Sequence, residues 1–325
     1  MLTMAAYRLR FRILQFAAQS LAAGAILVLA HPAPGQTANM SAAPGEFCSN
    51  SANAAENSCA SGAQADYWLS VGICANLPNA TRRQVCRAAA GRERADARVL
   101  CGDQFAARNE VCEALGEAFY HPAINPSNFV RRIDNRFMPL RPGAVRIYRA
   151  DTDEGVERVV VTVSAETEEI LGVPCTVVRD SVTLDGVVIE DTLDWFAQDR
   201  NGNVWYFGEI SREFEDGRLV SLHGSWRAGV DGAVPGIVMK ARPRVGDVYR
   251  QEYALREAED LAKVVNLAGH ATVPAASCTN CVVTAEFTPL EPEVDERKFY
   301  KPGVGLILAV NRVTGERLEL VSRQN

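Results

Sequence analysis

Six of the nine cysteines in this 325-residue chain are spaced as a palindrome. Cys48, Cys59, Cys74, Cys86, Cys101 and Cys112 are separated by steps of 11, 15, 12, 15 and 11. The pairs 74/86, 59/101 and 48/112 share one midpoint, residue 80. There, Leu77-Pro78-Asn79-Ala80-Thr81 reads as a turn with helix-start chemistry. Residues 54–75 before it and 81–119 after it are rich in helix-forming residues. At 100° per residue, a step of 11 returns to within about 20° of the starting face and a step of 15 to within about 60°. Each helix therefore carries its three cysteines on one broad stripe. Folding the helices antiparallel about residue 80 brings every cysteine to its mirror partner, which predicts the nested bridges Cys74–Cys86, Cys59–Cys101 and Cys48–Cys112. The alternative, a zinc site, needs closely spaced cysteine pairs, and these spacings are far too long. Such bridges require an oxidising compartment.

The N-terminus agrees with that requirement. Arg8, Arg10 and Arg12 precede an apolar run at 21–30 and then small residues, with candidate cleavage points after Ala30 or Ala38. This is the layout of a secretory signal over residues 1–38, and the expected destination is the periplasm or the exterior. The competing reading is an uncleaved N-terminal anchor, disfavoured by a short, Ala/Gly-rich core. No later segment is long and apolar enough to span a bilayer as a helix. A net charge of −6 without a basic patch argues against nucleic acid as a partner.

After residue 130 the period changes from helical to alternating. Residues 121–130, with two prolines, read as a linker between a hairpin unit at 39–120 and a β domain at 131–325. Strands are expected at 144–150, 156–163, 175–184, 187–197, 204–214, 219–226, 247–253, 262–267, 281–288, 293–300, 306–311 and 317–322. Asp185-Gly186, Asn201-Gly202, Asp216-Gly217 and Thr314-Gly315 are turns between them. Residues 255–263 have some helical character. The fold class is thus α+β: a disulfide-bridged antiparallel helical hairpin, then an antiparallel β-sheet domain, curled or partly closed into a barrel.

Three segments carry a resemblance. They are Asp194-Trp-Phe-Ala-Gln-Asp199 with Gly202-Asn-Val-Trp-Tyr-Phe-Gly-Glu209, then Gly224-Ser-Trp-Arg-Ala-Gly-Val-Asp-Gly-Ala-Val-Pro-Gly236, then Tyr300-Lys-Pro-Gly-Val-Gly-Leu306. Together they resemble an exported, functionally uncharacterised bacterial β-rich family over roughly 133–321. The resemblance implies a β fold and export, and no reaction.

The hairpin at 187–214 holds the candidate chemistry. An Asn201-Gly202 turn pairs residues whose numbers sum to 403. One face then carries Asp191 opposite Arg212, Leu193 opposite Ile210, Trp195 opposite Gly208 and Ala197 opposite Tyr206, and reads as the core face. The other carries Glu190 opposite Glu213, Thr192 opposite Ser211, Asp194 opposite Glu209, Phe196 opposite Phe207 and Gln198 opposite Trp205. Opposed carboxylates about 5 Å apart destabilise a sheet unless a cation, a proton or solvent relieves them. A solvated acidic face, a Ca²⁺ or ligand site, and a general acid/base pair formed by Asp194 and Glu209 all fit. Trp226 and Arg227, in the glycine-containing stretch 224–236, are candidate pocket-lip residues. Asp199-Arg-Asn-Gly-Asn203 has the glycine of a calcium loop at the wrong place and reads as a hairpin turn.

Of the remaining cysteines, Cys278 and Cys281 form a C-x-x-C that precedes a strand rather than a helix, so a local disulfide or a bridge to Cys175 is expected rather than a redox site. Either leaves one thiol over, which could pair between chains. No Gly-x-Ser-x-Gly elbow, phosphate loop or dinucleotide fingerprint is present. The leading expectation is a non-enzymatic exported binding or scaffold protein with no cofactor, an unidentified ligand or protein partner, and a rigid helical docking arm capable of self-association. The alternatives are a secreted hydrolase using Asp194 and Glu209, and a carrier of a hydrophobic ligand.

Overall fold

The computed structural model describes residues 46–324, so the expected signal segment at 1–38 lies outside the described residues. The chain divides into two compact units, one ending at Phe119 and one starting at Tyr120.

The first unit is a helical hairpin of α1 (Phe47–Ala75) and α2 (Ala80–Leu115). Asn79 caps α2, its side-chain oxygen accepting from the Arg82 N–H at 3.0 Å. The bridges are the nested set, with Cα–Cα separations of 5.6 Å (Cys48–Cys112), 5.7 Å (Cys59–Cys101) and 5.6 Å (Cys74–Cys86). That constancy means the helices stay equally close along their length. Small residues permit it: apart from cysteines, the buried apolar residues among the described residues of the unit are Ala52, Ala55, Ala63, Ala90 and Val111. With so little apolar area to bury, covalent bridges stand in for a core. At the open end, Glu46 makes no capping bond; Glu117, beyond the end of α2, does so instead, accepting from the Ser49 N–H at 2.9 Å and from its hydroxyl at 2.5 Å. Those bonds favour the charged form and lower the Glu117 pKa.

The second unit is an antiparallel β structure of sixteen strands. In chain order they are β1 (Phe129–Val130), β2 (Val145–Thr152), β3 (Gly155–Ile170), β4 (Val173–Leu184), β5 (Val187–Asp199), β6 (Val204–Glu215), β7 (Arg218–Ser221), β8 (Trp226–Arg227), β9 (Val234–Met239), β10 (Val248–Arg250), β11 (Glu252–Tyr253), β12 (Leu261–Val273), β13 (Ala276–Thr288), β14 (Glu291–Lys301), β15 (Gly305–Asn311) and β16 (Arg317–Gln324). The sheet runs β10-β12-β13-β14-β15-β16-β2-β3-β4-β5-β6-β9-β11. Its first and last members are two halves of one chain segment separated only by Gln251. Residues 248–250 pair with β12, and residues 252–253 pair with β9. One strand thus changes partner at Gln251 and draws the sheet into a nearly closed barrel. The approach at this seam is tight. A Cβ on Gly236 would lie 2.3 Å from the Gln251 carbonyl carbon, so only glycine fits there.

Several expectations need correction. The stretch 224–236 is no open loop: it contains β8 and the start of β9, both paired to β6. The stretch 255–263 forms no helix; Ala254 and Ala258 make an isolated bridge and β12 begins at Leu261. Cys278 bonds to Cys281, as one of the two expected pairings had it; the correction is to Cys175, the thiol left over, which is fully buried and so cannot pair between chains in the folded protein. Residues of the 121–130 stretch run along the barrel, where Ile124 and Phe129 pack against the core.

Candidate functional site

The β5–β6 hairpin has the expected register from Glu190↔Glu213 to Trp195↔Gly208, including Asp194↔Glu209. Beyond that a bulge at Phe207 shifts the pairing to Phe196↔Tyr206, Ala197↔Trp205 and Gln198↔Val204. Gly208 allows the bulge, with φ of +132° and the Trp226 carbonyl oxygen where a Cβ would lie. Over 190–194 the faces are also reversed from expectation, and from Trp195 to Gln198 both faces are buried. The Glu190/Thr192/Asp194/Phe196 face is buried, whereas Asp191 lies on the outer face, held by Arg179 at 2.5 Å and Arg212 at 3.0 Å.

Asp194 and Glu209 are 0% and 2% exposed. Asp194 accepts a 2.7 Å hydrogen bond from the Tyr206 hydroxyl. Tyr206 stacks on Phe196 with ring centroids 4.7 Å apart and meets the edge of Trp226 at 5.4 Å. Burial first, and then the carboxylates of Asp194, Glu209 and Glu252, push the Tyr206 pKa well above its usual value. Glu190 is enclosed as well, accepting from Thr192 at 3.1 Å and Ser211 at 3.3 Å, while Glu213 is half-buried at the rim. Glu190, Asp194 and Glu209 are interior side chains, neither a solvated face nor the wall of an open cleft.

The other candidates lie elsewhere. Trp205 donates to Asp199 at 2.9 Å, and Asp199 also accepts from the Asn203 backbone and side chain, which makes 199–203 a hydrogen-bonded turn. Phe207 is buried against Phe129. Arg227 pairs with Glu168 at 2.8 Å and lies over the Trp195 ring, away from the acidic interior. Among the described residues, no group of three or more His, Cys, Asp or Glu side chains is placed to hold a metal ion.

A second interior cluster had no sequence signal. Lys298 on β14, 2% exposed, lies 2.7 Å from Glu286 and 3.4 Å from Glu296, and Tyr300 donates to Glu286 at 2.9 Å. Burial is the main cause that raises the Glu296 pKa, to about 7, with Glu286 adding to it and Lys298 opposing. Asp260 is raised well above its usual value by burial and then by Glu252. Burial opposes the charge on Lys298, but Glu286 and Glu296 outweigh it and raise the lysine pKa. Beside this cluster is a small, partly open cavity lined by Arg146, Tyr148, Gln251, Glu286, Lys298 and Tyr300 together with apolar side chains such as Leu140 and Leu306. It has room for a few water molecules. Arg146 holds the segment over the cavity, donating to the carbonyls of Pro139 at 2.6 Å and Val304 at 3.1 Å.

No protein-family model matches the chain. No curated protein matches it either. Among solved structures, it is similar to the crystal structure of a "putative lipoprotein" from Parabacteroides distasonis ATCC 8503, at 13% identity and a TM-score of 0.33, over 58% of this chain and 99% of that chain.

Proposed function

We propose that this chain is an exported, non-enzymatic binding or scaffold protein: a rigid β-barrel carrying a disulfide-stapled helical docking arm. One contrast carries the reading. The candidate catalytic carboxylates are enclosed, whereas the hairpin leaves large apolar side chains in water, with Trp68, Leu69 and Ile73 at 62%, 60% and 58% exposure. Buried acids without a cleft suit no hydrolase. An exposed apolar stripe on a rigid element suits a partner. The polar, filled interior also weighs against a carrier of bulky hydrophobic ligands. Four disulfides in the described residues support export.

The test is photo-crosslinking in cells from a reactive residue at position 69, compared with one at position 188 on the barrel. The expected result is discrete adducts from 69 that survive Asp194→Asn. Adducts from neither position, with a hydrolytic activity abolished by Asp194→Asn, would overturn the reading.

A further inference from the structure

The side of α2 turned away from the cysteine seam has a repeat of its own. Val85, Ala88, Ala95, Val99, Gly102 and Ala106, with Arg92 between Ala88 and Ala95, are separated by alternating steps of 3 and 4. Every one of them except Gly102 and Arg92 is a small or β-branched apolar residue, and all are exposed in the hairpin. Such spacing makes one continuous seam along a helix, the pattern of helices that pack side by side. Small side chains let two backbones come close. Nothing within 4 Å would meet a Cβ at Gly102, so the helix itself does not require glycine there.

The charges say what fits the seam. Between residues 62 and 98, the half nearer the turn, six arginines (Arg82, Arg83, Arg87, Arg92, Arg94 and Arg98) face three acids, Asp66, Glu93 and Asp96. In the other half, residues 46–61 and 99–119, six acids (Glu46, Glu56, Asp103, Glu110, Glu113 and Glu117) face one arginine, Arg108. The pattern is antisymmetric within α2. Arg82 and Glu113, Arg87 and Glu110, and Arg92 and Asp103 each lie at nearly equal distances on either side of residue 98. A surface that is positive at one end and negative at the other complements itself when a copy is turned end for end.

We infer that α2 of the docking arm pairs with a second copy of this chain, through an antiparallel α2–α2 contact whose two-fold axis passes beside Val99. This rests on the reading of the hairpin as a docking arm and gives its α2 face an occupant; the Trp68–Ile73 stripe on α1 lies outside that contact. Val99, 64% exposed, then meets its own symmetry mate. Each arginine end meets the acidic end of the partner, and the two hairpins complete a four-helix layer that neither can form alone. An anionic membrane surface would suit the arginine end and the exposed Trp68 but would repel the acidic half, so the second copy is favoured.

The experiment is sedimentation equilibrium on the oxidised chain lacking residues 1–38. The expected result is a dimer at micromolar concentration whose dissociation constant rises at least tenfold between low and high salt. Val99→Glu is expected to give a monomer with unchanged helical circular dichroism. An Arg82→Glu/Arg87→Glu chain and a Glu110→Arg/Glu113→Arg chain should each be monomeric alone and should pair when mixed. A monomer at all concentrations, a dimer indifferent to Val99→Glu, or a monomer that sediments with phosphatidylglycerol vesicles would overturn the dimer. If crosslinks from position 69 persist in that case, only the dimer fails; if they vanish too, the docking-arm reading fails with it.

Discussion

At the scale of single residues, the barrel interior is governed by the cost of burying charge. Lys298 is the cation between Glu286 and Glu296. Lys298→Met should therefore cost about 3–5 kcal/mol, because it leaves two enclosed acids without a counter-charge, and much of the loss should return when Glu286 is also made Met. Urea midpoints of the two variants decide this. Glu296 gives a pH signature of definite sign. Its folded pKa, about 7, lies above the ordinary 4.5, so the folded state holds the proton more tightly. Stability should fall as pH rises from about 4.5 to about 7 and level off above that, and Glu296→Gln should remove that part of the slope. Urea midpoints at pH 5 and pH 8 check it. The Asp194↔Glu209 opposition was legible in the sequence because an Asn-Gly turn sets register. Its burial was not. The face opposite it also carries apolar Leu193, Trp195 and Ala197, and alternation alone cannot say which of two mixed faces turns inward. The same ambiguity hid Glu296, Lys298 and Tyr300, which alternate with Arg297 and Phe299.

At the scale of elements, the hairpin and the seam behave oppositely. The hairpin's bridges and turn were readable from spacing because its geometry is covalent; the helix ends, at Phe47 and Leu115, were not. Its stabilisation should follow loop length: removing Cys48–Cys112, whose partners are 64 positions apart, should cost about 4 kcal/mol, and removing Cys74–Cys86, 12 positions apart, about 3. Thermal unfolding of the paired Cys→Ser variants, followed at 222 nm, should rank them in that order. The seam depends on a non-covalent close approach. Gly236→Ala would drive a methyl group into the Gln251 backbone, which has no rotamer to yield. We expect a large loss of stability, with amides of β10 and β11 the first to lose protection in hydrogen exchange. The sequence contained β9 within a stretch of glycines and turn residues, and its pairing with β6 and β11 is a tertiary choice that local propensity does not register.

At the scale of the whole molecule, each unit answers to its own chemistry. Reduction of the hairpin bridges should abolish the helical signal while the barrel, whose core is built from Tyr148, Phe196, Tyr206, Ile307 and their neighbours, retains its near-ultraviolet spectrum. The α+β class and the antiparallel sheet were legible from turn chemistry and alternation. A curled or partly closed sheet was legible too, but not which strands close it, because that depends on pairings between strands remote in the chain. The extreme case is β2 with β16, where Arg149 lies opposite Glu319. Synthesis proceeds from one end, so β2 leaves the ribosome long before the segment that will cover its second edge exists. In that interval it is a naked template, open to any passing strand. A nascent chain of this design needs a guardian on β2 until the last strand is delivered.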